Sequence, residues 1–523
     1  MMRRIALAFL MFVTALSMVY SGGSKQSTSS ATNSGPVKLS MFAPIMWTGK
    51  ESDWKDNIAF QDVQKATNVE IEFRQPPVGA EQENFNLMIA GGTLPDIIMT
   101  GWSGDVLYTG GVEKYIDDGV IIKLNDLVPQ YAPDYLKLIK TLVPANEQKA
   151  FYTDSGIMAQ FYGIAPYEEY SYQGMLYRKD WLDELGLNNP ETLADVEKVL
   201  MQFKTQKNAQ NPMIIPQSGI DTLSGALVSA FGIGPAFYQK NGTVYYGPIQ
   251  NEFKQYLTLM NNWYTKGLID RDFPTRDSDA QKRMMTTGET GAIIASPDSV
   301  GDWMLNITPL VGGYYPVQKA GDRVQWRLKN YYIRNYFTAA VTSSCKNVEA
   351  ALRFLNYGYT EPGWMEYNYG QEGKTYNRTG ETFEISGMKF ARIKYTDMMM
   401  NNPEYSRNDA ILKFKFHVGF FLRFEHEGNP TVTENTLAIR KFWTETADTS
   451  MVLPLYSLNA TEAQEFASLM SEINTYQSAA ILEFILGRRS LDGFDDYLNN
   501  MQRLNINRAI AIQQAALNRY NAR

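Results

Sequence analysis

From Val37 onward the chain switches repeatedly between two hydrophobic periods. The runs VKLSMF and VEIEFR alternate apolar with polar positions and PDIIM ends in a short apolar run, while the stretches from about Asp53 to Thr67 and near Gln82 to Ala90 carry helical spacing. A period of two fits a half-buried strand, and a period near 3.6 fits an amphipathic helix. Strands that alternate with helices predict a parallel sheet. In open sheets of that kind, ligands lie beyond the carboxyl ends of the strands, where strand order switches. Those ends are Ala43 to Trp47 and Thr100 to Gly104, so Trp47, Trp102 and Ser103 are candidate ligand residues.

The pattern continues downstream. Asp180 to Leu185 reads as a short helix stopped by Gly186, and Thr192 with Asp195 is spaced as a capping pair for a second helix after Pro190. Leu193, Val196, Val199, Leu200 and Phe203 form the apolar face of that helix. Beyond Ser278 the text becomes glycine-rich and aromatic, as strand and loop near a cleft would. A helix with Ala351, Leu352, Phe354 and Leu355 follows Asn347, and Pro362 with Gly363 predicts its end and a crossing between lobes. From Thr461 the chain is helical, with Phe466, Leu469, Met470, Ile473 and Tyr476 on one face and a final helix from about Ile506. This portion reads as structure and not as site.

Composition narrows the function. The 523 residues are 44% hydrophobic and 20% charged, enough for more than one compact unit. A net charge of -7 without a long basic run excludes the electrostatic footprint that nucleic acid requires. Cys345 is the only cysteine and His417 and His426 the only histidines, which leaves little material for disulfides, cysteine-rich metal sites or multi-imidazole catalysis. Binding is favoured over chemistry, and no cofactor is expected.

Arg3 and Arg4, the apolar run Ile5 to Val19 and the small residues Ser21 to Ser24 read as a secretory signal over residues 1–24. Ser21 to Gly23 looks like a lipoprotein junction with serine in the place of the lipid-bearing cysteine. The expectation is an exported periplasmic or extracellular protein without a lipid anchor. Residues 25–36, rich in Ser, Thr, Asn and Gly, suit a flexible tether.

At GGTLPDII, YGIAPYEEYSYQGMLYRKDWLDELGLNNPETLADVEKVLMQFK, GAIIASPDSVGDW and AVTSSCKNVEAALRFLNYGYTEPG the chain resembles the extracellular solute-binding proteins of bacterial ABC importers. It is most similar to their large oligosaccharide-binding branch, which includes sugar-binding lipoproteins and alginate-binding proteins. The resemblance implies a two-lobed α/β periplasmic-binding-protein fold of type II, each lobe a mostly parallel sheet flanked by helices, with a helical C-terminal extension in lobe 2. It places lobe 1 at 37–165 plus 325–375 and lobe 2 at 166–324 plus 376–523. It also implies a monomer that grips an oligosaccharide between hinged lobes and passes it to permease subunits. Many relatives carry an Asp- and Asn-rich calcium loop where this chain reads KTQKNAQNPMIIP, which has no aspartate, so no calcium is expected there.

A sugar cleft mixes aromatic platforms with Asp, Glu, Asn and Arg. With 9 Trp, 32 Tyr and 26 Phe, most rings must be packing residues, so position has to select among them. The resemblance places Glu169, Tyr170 and Tyr172 in the loop entering the crossing, and Asp298, Asp302 and Trp303 in a cleft loop. Tyr331, Tyr332, Arg334 and Tyr336 alternate in a strand of which one parity faces the cleft; Tyr332 and Arg334 are taken as candidates. Trp364 is a candidate at the third crossing or a hinge-packing residue. Arg178 either meets a uronate carboxylate or pairs with Asp180 or Asp183.

Other constellations are weaker. Glu168 with Glu169, or Asp495 with Asp496, would suit an exported glycosidase or lyase, but adjacent acids are common on solvated faces. His417, Glu425, His426 and Glu427 match no helix-borne zinc spacing, and Phe231 to Gly234 lacks the glycine and lysine spacing of a nucleotide loop. A peptide- or signal-binding receptor component remains the third reading.

Overall fold

Strand β1 (Val37–Phe42) carries its alternation into space: Met41 joins a large core on one face of a sheet and Phe42 a smaller core on the other. The computed structural model describes residues 35–47, 49–50, 53–101, 107–297, 309–424, 427 and 432–523. β1 pairs in parallel with β2 (Val69–Arg74) and β3 (Ile97–Met99), the helices between them being Ile58–Thr67 and Glu81–Ala90. After β4 (Phe161–Ile164) the chain leaves this first lobe. It builds β5 (Gly174–Arg178), β6 (Met213–Ile214), a hairpin of β7 (Phe237–Lys240) and β8 (Thr243–Tyr246), β9 (Ala292–Ala295) and β10 (Leu310–Gly312) around a second core. It then returns as β11 (Ile333–Val341), which inserts between β3 and β4.

The first sheet therefore runs β2-β1-β3-β11-β4 and the second β10-β5-β9-β6. Both are mixed, where helix–strand alternation predicts mostly parallel sheets. β11 arrives from the far lobe and runs antiparallel to both neighbours, and in the second sheet β6 with β9 is the parallel pair. Local signals set the helices. Thr192 and Asp195 form the expected capping box on Leu193–Gln206, which buries Val196, Val199, Leu200 and Phe203, each contributing ~1.5–3 kcal/mol on burial.

The expected crossing at Pro362 is absent. Pro362 occupies the first turn of a new helix, Glu361–Tyr369, where its missing N–H costs nothing, and Thr360 caps that helix. A Cβ on Gly363 would stand 1.7 Å from the Tyr357 carbonyl oxygen, so only glycine lets this helix follow Val348–Tyr357 so closely. Both helices, the hairpin β12 (Tyr376–Ile385) and β13 (Met388–Tyr395), and the chain as far as Phe424 pack into the first core. The segment 376–424 thus lies with lobe 1 and not, as expected, with lobe 2. Its apolar residues Tyr376, Phe390, Phe416 and Phe424 complete the aromatic core around Trp364 and Tyr367.

Crossings fall between β4 and β5, between β10 and β11, and between Phe424 and the helix Glu434–Thr446, whose Ile439 and Trp443 lie in the second core. Trp443 fastens two of these segments to one point by donating from Nε1 toward the carbonyls of Met175 at 3.2 Å and Gly313 at 3.0 Å. The helices Ala460–Ile485, Phe494–Arg503 and Ile506–Ala522 cover the second core. Among the described residues no helix is long and apolar enough to cross a membrane.

Candidate functional site

β11 supplies side chains to both sides of the lobe boundary. Its pairing with β4 shifts between Arg334 and Ala339, and Phe337 within the shift has φ of 51°. A bulky residue in the left-handed region costs ~1–3 kcal/mol and persists only where the surroundings enforce it. Here the Phe337 N–H donates to the Gly101 carbonyl at 3.1 Å and Thr338 N–H to Thr100 Oγ1 at 2.9 Å. The bulge is thus tied to the carboxyl end of β3, one of the two strand ends where ligand was expected.

On one side of β11 lies a polar cluster. Arg334 pairs with Glu169, each side chain 5% exposed, and also donates to the Tyr331 carbonyl. Burial lowers the Arg334 pKa, but Glu169 and Tyr336 raise it more, leaving it above the ordinary value. From the second lobe Arg440 approaches the same carboxylate, and burial draws its pKa down to about 10 against the pull of Glu169 and Tyr172. Burial, then Tyr336, raises the pKa of Tyr172. Arg423 donates to Tyr336 Oη at 2.7 Å, and Tyr167 donates to Glu427 at 2.7 Å. Guanidinium, carboxylate and phenol groups from both lobes therefore meet at the crossings.

Trp47 extends this line. Its ring lies 6.3 Å edge-on from His417, and its Nε1–H is buried with no hydrogen-bond acceptor among the described residues. A buried indole N–H ordinarily finds a partner. Burial, then Arg423 and Lys415, push the His417 pKa well below the ordinary histidine value. It stays neutral at physiological pH.

On the other side of β11, Ile333 and Asn335 face a cavity of about 610 Å³. Tyr108, Tyr152 and Tyr162 of the first lobe stand across it from Phe466, Met470 and Asn474 of the helix Ala460–Ile485. Rings, amides and hydroxyls share its walls, which is the chemistry that hydrogen-bonds sugar hydroxyls and packs their C–H faces.

The structure brings Glu169, Tyr172 and Arg334 together and places Trp47 beside His417. Tyr170 and Tyr332 flank the crossings through their backbones: Asn330 Nδ2 donates to the Tyr170 carbonyl at 2.6 Å and Ala165 N–H to the Tyr332 carbonyl at 2.7 Å. Trp364 is a packing residue of the first core. It is 5% exposed and packs against Phe390 and Phe424 in the first core. Arg178 takes the second of its two expected roles, forming two hydrogen bonds to Asp180, at 3.2 and 2.6 Å, and stacking 4.4 Å over Trp181. Trp102, Ser103, Asp298, Asp302 and Trp303 lie outside the described residues, as do Glu425 and His426.

Sequence reasoning missed Asn335, Tyr162, Phe466, Met470 and Asn474. Phe466, Met470 and Asn474 recur every four residues, so one helix stripe carries them, and its polar last member was the available signal. Among the described residues no group of three or more His, Cys, Asp or Glu side chains is placed to hold a metal ion.

Comparison with known proteins accords with this architecture. A family profile described as bacterial extracellular solute-binding protein matches residues 48–363. Lipoprotein LipO of Bacillus subtilis (strain 168) is 22% identical over 514 residues, 92% of each chain. The fructooligosaccharide ABC transporter substrate-binding protein FusA of Streptococcus pneumoniae serotype 4 is 23% identical over 503 residues, 90% of this chain and 88% of its own. Among solved structures, an HMO-binding, ABC-transporter-associated solute-binding protein from Bifidobacterium longum infantis superposes with a TM-score of 0.76 at 18% identity, covering 93% of this chain and 99% of its own. That likeness shows the two-lobed fold.

Proposed function

The chain belongs to the bacterial extracellular solute-binding proteins, and from that premise we propose that it captures an oligosaccharide between its lobes and delivers it, as a monomer, to the permease subunits of an ABC importer. The observation that carries this reading is the cavity of about 610 Å³ whose aromatic and amide walls come from different lobes. A ligand touching both walls favours the arrangement that holds them together, and only such differential contact can drive hinge closure. The fructooligosaccharide function of the FusA relative fits the same chemistry. Trp47 and Tyr172 extend the ligand surface along the crossings, where the buried Glu169–Arg334 pair joins the outgoing and returning segments. Export by residues 1–24 without lipid attachment completes the proposal.

The protein acts by binding alone. Glu168 and Glu169, the adjacent acids of the first crossing, lie 3.7 Å from Arg327 and against Arg334, so neither is poised as the free acid of a glycoside hydrolase. The test is titration calorimetry against neutral and acidic plant, algal and microbial oligosaccharides, with overnight incubation to detect cleavage. Saturable binding and intact sugar are expected. Binding of peptides but of no glycan overturns the substrate class, and released product overturns the non-catalytic role.

A further inference from the structure

The terminal helix Ile506–Ala522 is rooted in one lobe and ends on the other. Ile506 and Ala509 lie in the second core, and Gln514 accepts from Val244 N–H of β8 at 2.8 Å. Its last turn leaves that core. Tyr520 donates to the Asn146 carbonyl at 3.0 Å, Lys149 donates to the Tyr520 carbonyl at 2.6 Å, and Arg523 donates to the Thr153 carbonyl at 2.5 Å. Asn146 to Thr153 belongs to the first lobe, whose core takes Phe151.

Arg519 is the centre of this contact. Its Nε donates to Asp154 at 2.6 Å and its Nη1 to Glu462 at 2.9 Å. Asp154 is 5% exposed and Glu462 15% exposed. Each acid is the sequence neighbour of a residue lining the cavity of about 610 Å³: Thr153 on the first-lobe wall and Ala463 on the helix opposite. One guanidinium thus holds together two carboxylates that carry the two walls. Without it the two like charges face each other at short range, with Arg523, 3.7 Å from Asp154, as the remaining cation.

We infer that the terminal helix is a strap between the lobes, with Arg519 as the buckle that sets the separation of the cavity walls. The covalent crossings fix where the lobes pivot. The strap lies apart from them in sequence and fixes the angle, so its strength sets the readiness of the cavity to close on a ligand. Its effect on ligand affinity rests on the function proposed above; its effect on lobe separation does not.

The experiment places spin labels at Lys38→Cys in the first lobe and Gln255→Cys in the second, in a Cys345→Ser background, and reads the distance distribution of the unliganded full chain. Arg519→Gln leaves the two acids facing each other and is expected to lengthen the distance. Asp154→Asn added to Arg519→Gln removes the repulsion and is expected to recover part of the shift. This double variant also serves if the single one does not fold, since it still lacks the buckle and is expected to be longer than wild type. A glycan that binds wild type is expected to bind Arg519→Gln about fivefold or more weakly, through a faster off-rate. Identical distances in wild type and both variants overturn the strap. Unchanged glycan affinity beside a lengthened distance overturns its coupling to the cavity. Failure of every glycan to bind wild type overturns the proposed function and leaves the distance result standing.

Discussion

Glu169 and Arg334 form an ion pair, each side chain 5% exposed, between the segment leaving the first lobe and the strand returning to it. Burial of this depth makes the pair costly to break, because removing one partner strands a charge that water cannot reach. Arg334→Met is expected to lower unfolding stability by ~3 kcal/mol, read by urea denaturation. Glu169→Gln with Arg334→Met together is expected to recover only part of that loss, because the buried Arg440 then loses the same carboxylate. A single variant as stable as wild type would show that the pair is solvated in solution.

The cavity and the core separate by mutation. Phe466→Ala and Asn335→Ala remove one ring and one amide from opposite walls, and each is expected to weaken glycan binding by about tenfold, ~1.4 kcal/mol, with little change in melting temperature. Trp364→Ala opens the first core instead and is expected to cost ~3–5 kcal/mol of stability while leaving the affinity of the folded fraction unchanged. The reverse pattern in titration calorimetry and thermal melts would return Trp364 to the site and remove Phe466 from it.

Trp364 shows where sequence reading stops. Periodicity located the helices, the capping box at Thr192 and the strand ends, because those signals are local. Pro362 after an apolar helix reads equally as a stop and as the first turn of the next helix; the choice depends on whether Trp364 finds a core, and that core is completed by Phe390 and Phe424, far along the chain. The parity of β11 was undecidable for a related reason. Both faces meet the lobe boundary, Arg334 on the ion-pair side and Asn335 on the cavity side, with a bulge between Arg334 and Ala339 that no alternation pattern announces. Phe466 and Met470 were legible as an apolar stripe, but a stripe half-covered by its own lobe looks the same in sequence as one fully covered.

Glu366 predicts a pH dependence unconnected with ligand. Burial, then the charge of Asp62, pushes its pKa up to about 8 against the weaker pull of Lys65 and Lys374, and its Oε1 is buried without a partner among the described residues. The folded state therefore binds this proton more tightly than the unfolded chain. Between the unfolded value near 4.5 and about 8 the native state holds more protons, so this group makes stability fall as pH rises through that window. Glu366→Gln is expected to melt at a higher temperature than wild type at pH 8, with the difference vanishing near pH 4. Parallel melting curves across that range would show that the carboxylate is ionised in the native protein.

The loop KTQKNAQNPMIIP carries two lysines and no aspartate. Lys204 donates to the Lys266 carbonyl and Lys207 to Glu184, so two ammonium groups are built into the structure around the turn. The turn itself is made by Asn208 with φ of 53°, a conformation asparagine tolerates without a metal to hold it. A calcium ion here would find no carboxylate in the loop itself and would compete with Lys207 for Glu184. Ligands that bind only the native state raise its melting temperature by mass action, so calcium gives a direct readout. Addition of calcium or of a chelator is expected to leave the melting temperature within about 1 °C of the untreated protein, because no binding free energy is gained or lost. A rise with micromolar calcium that Lys207→Ala enhances would place a cation at this loop after all.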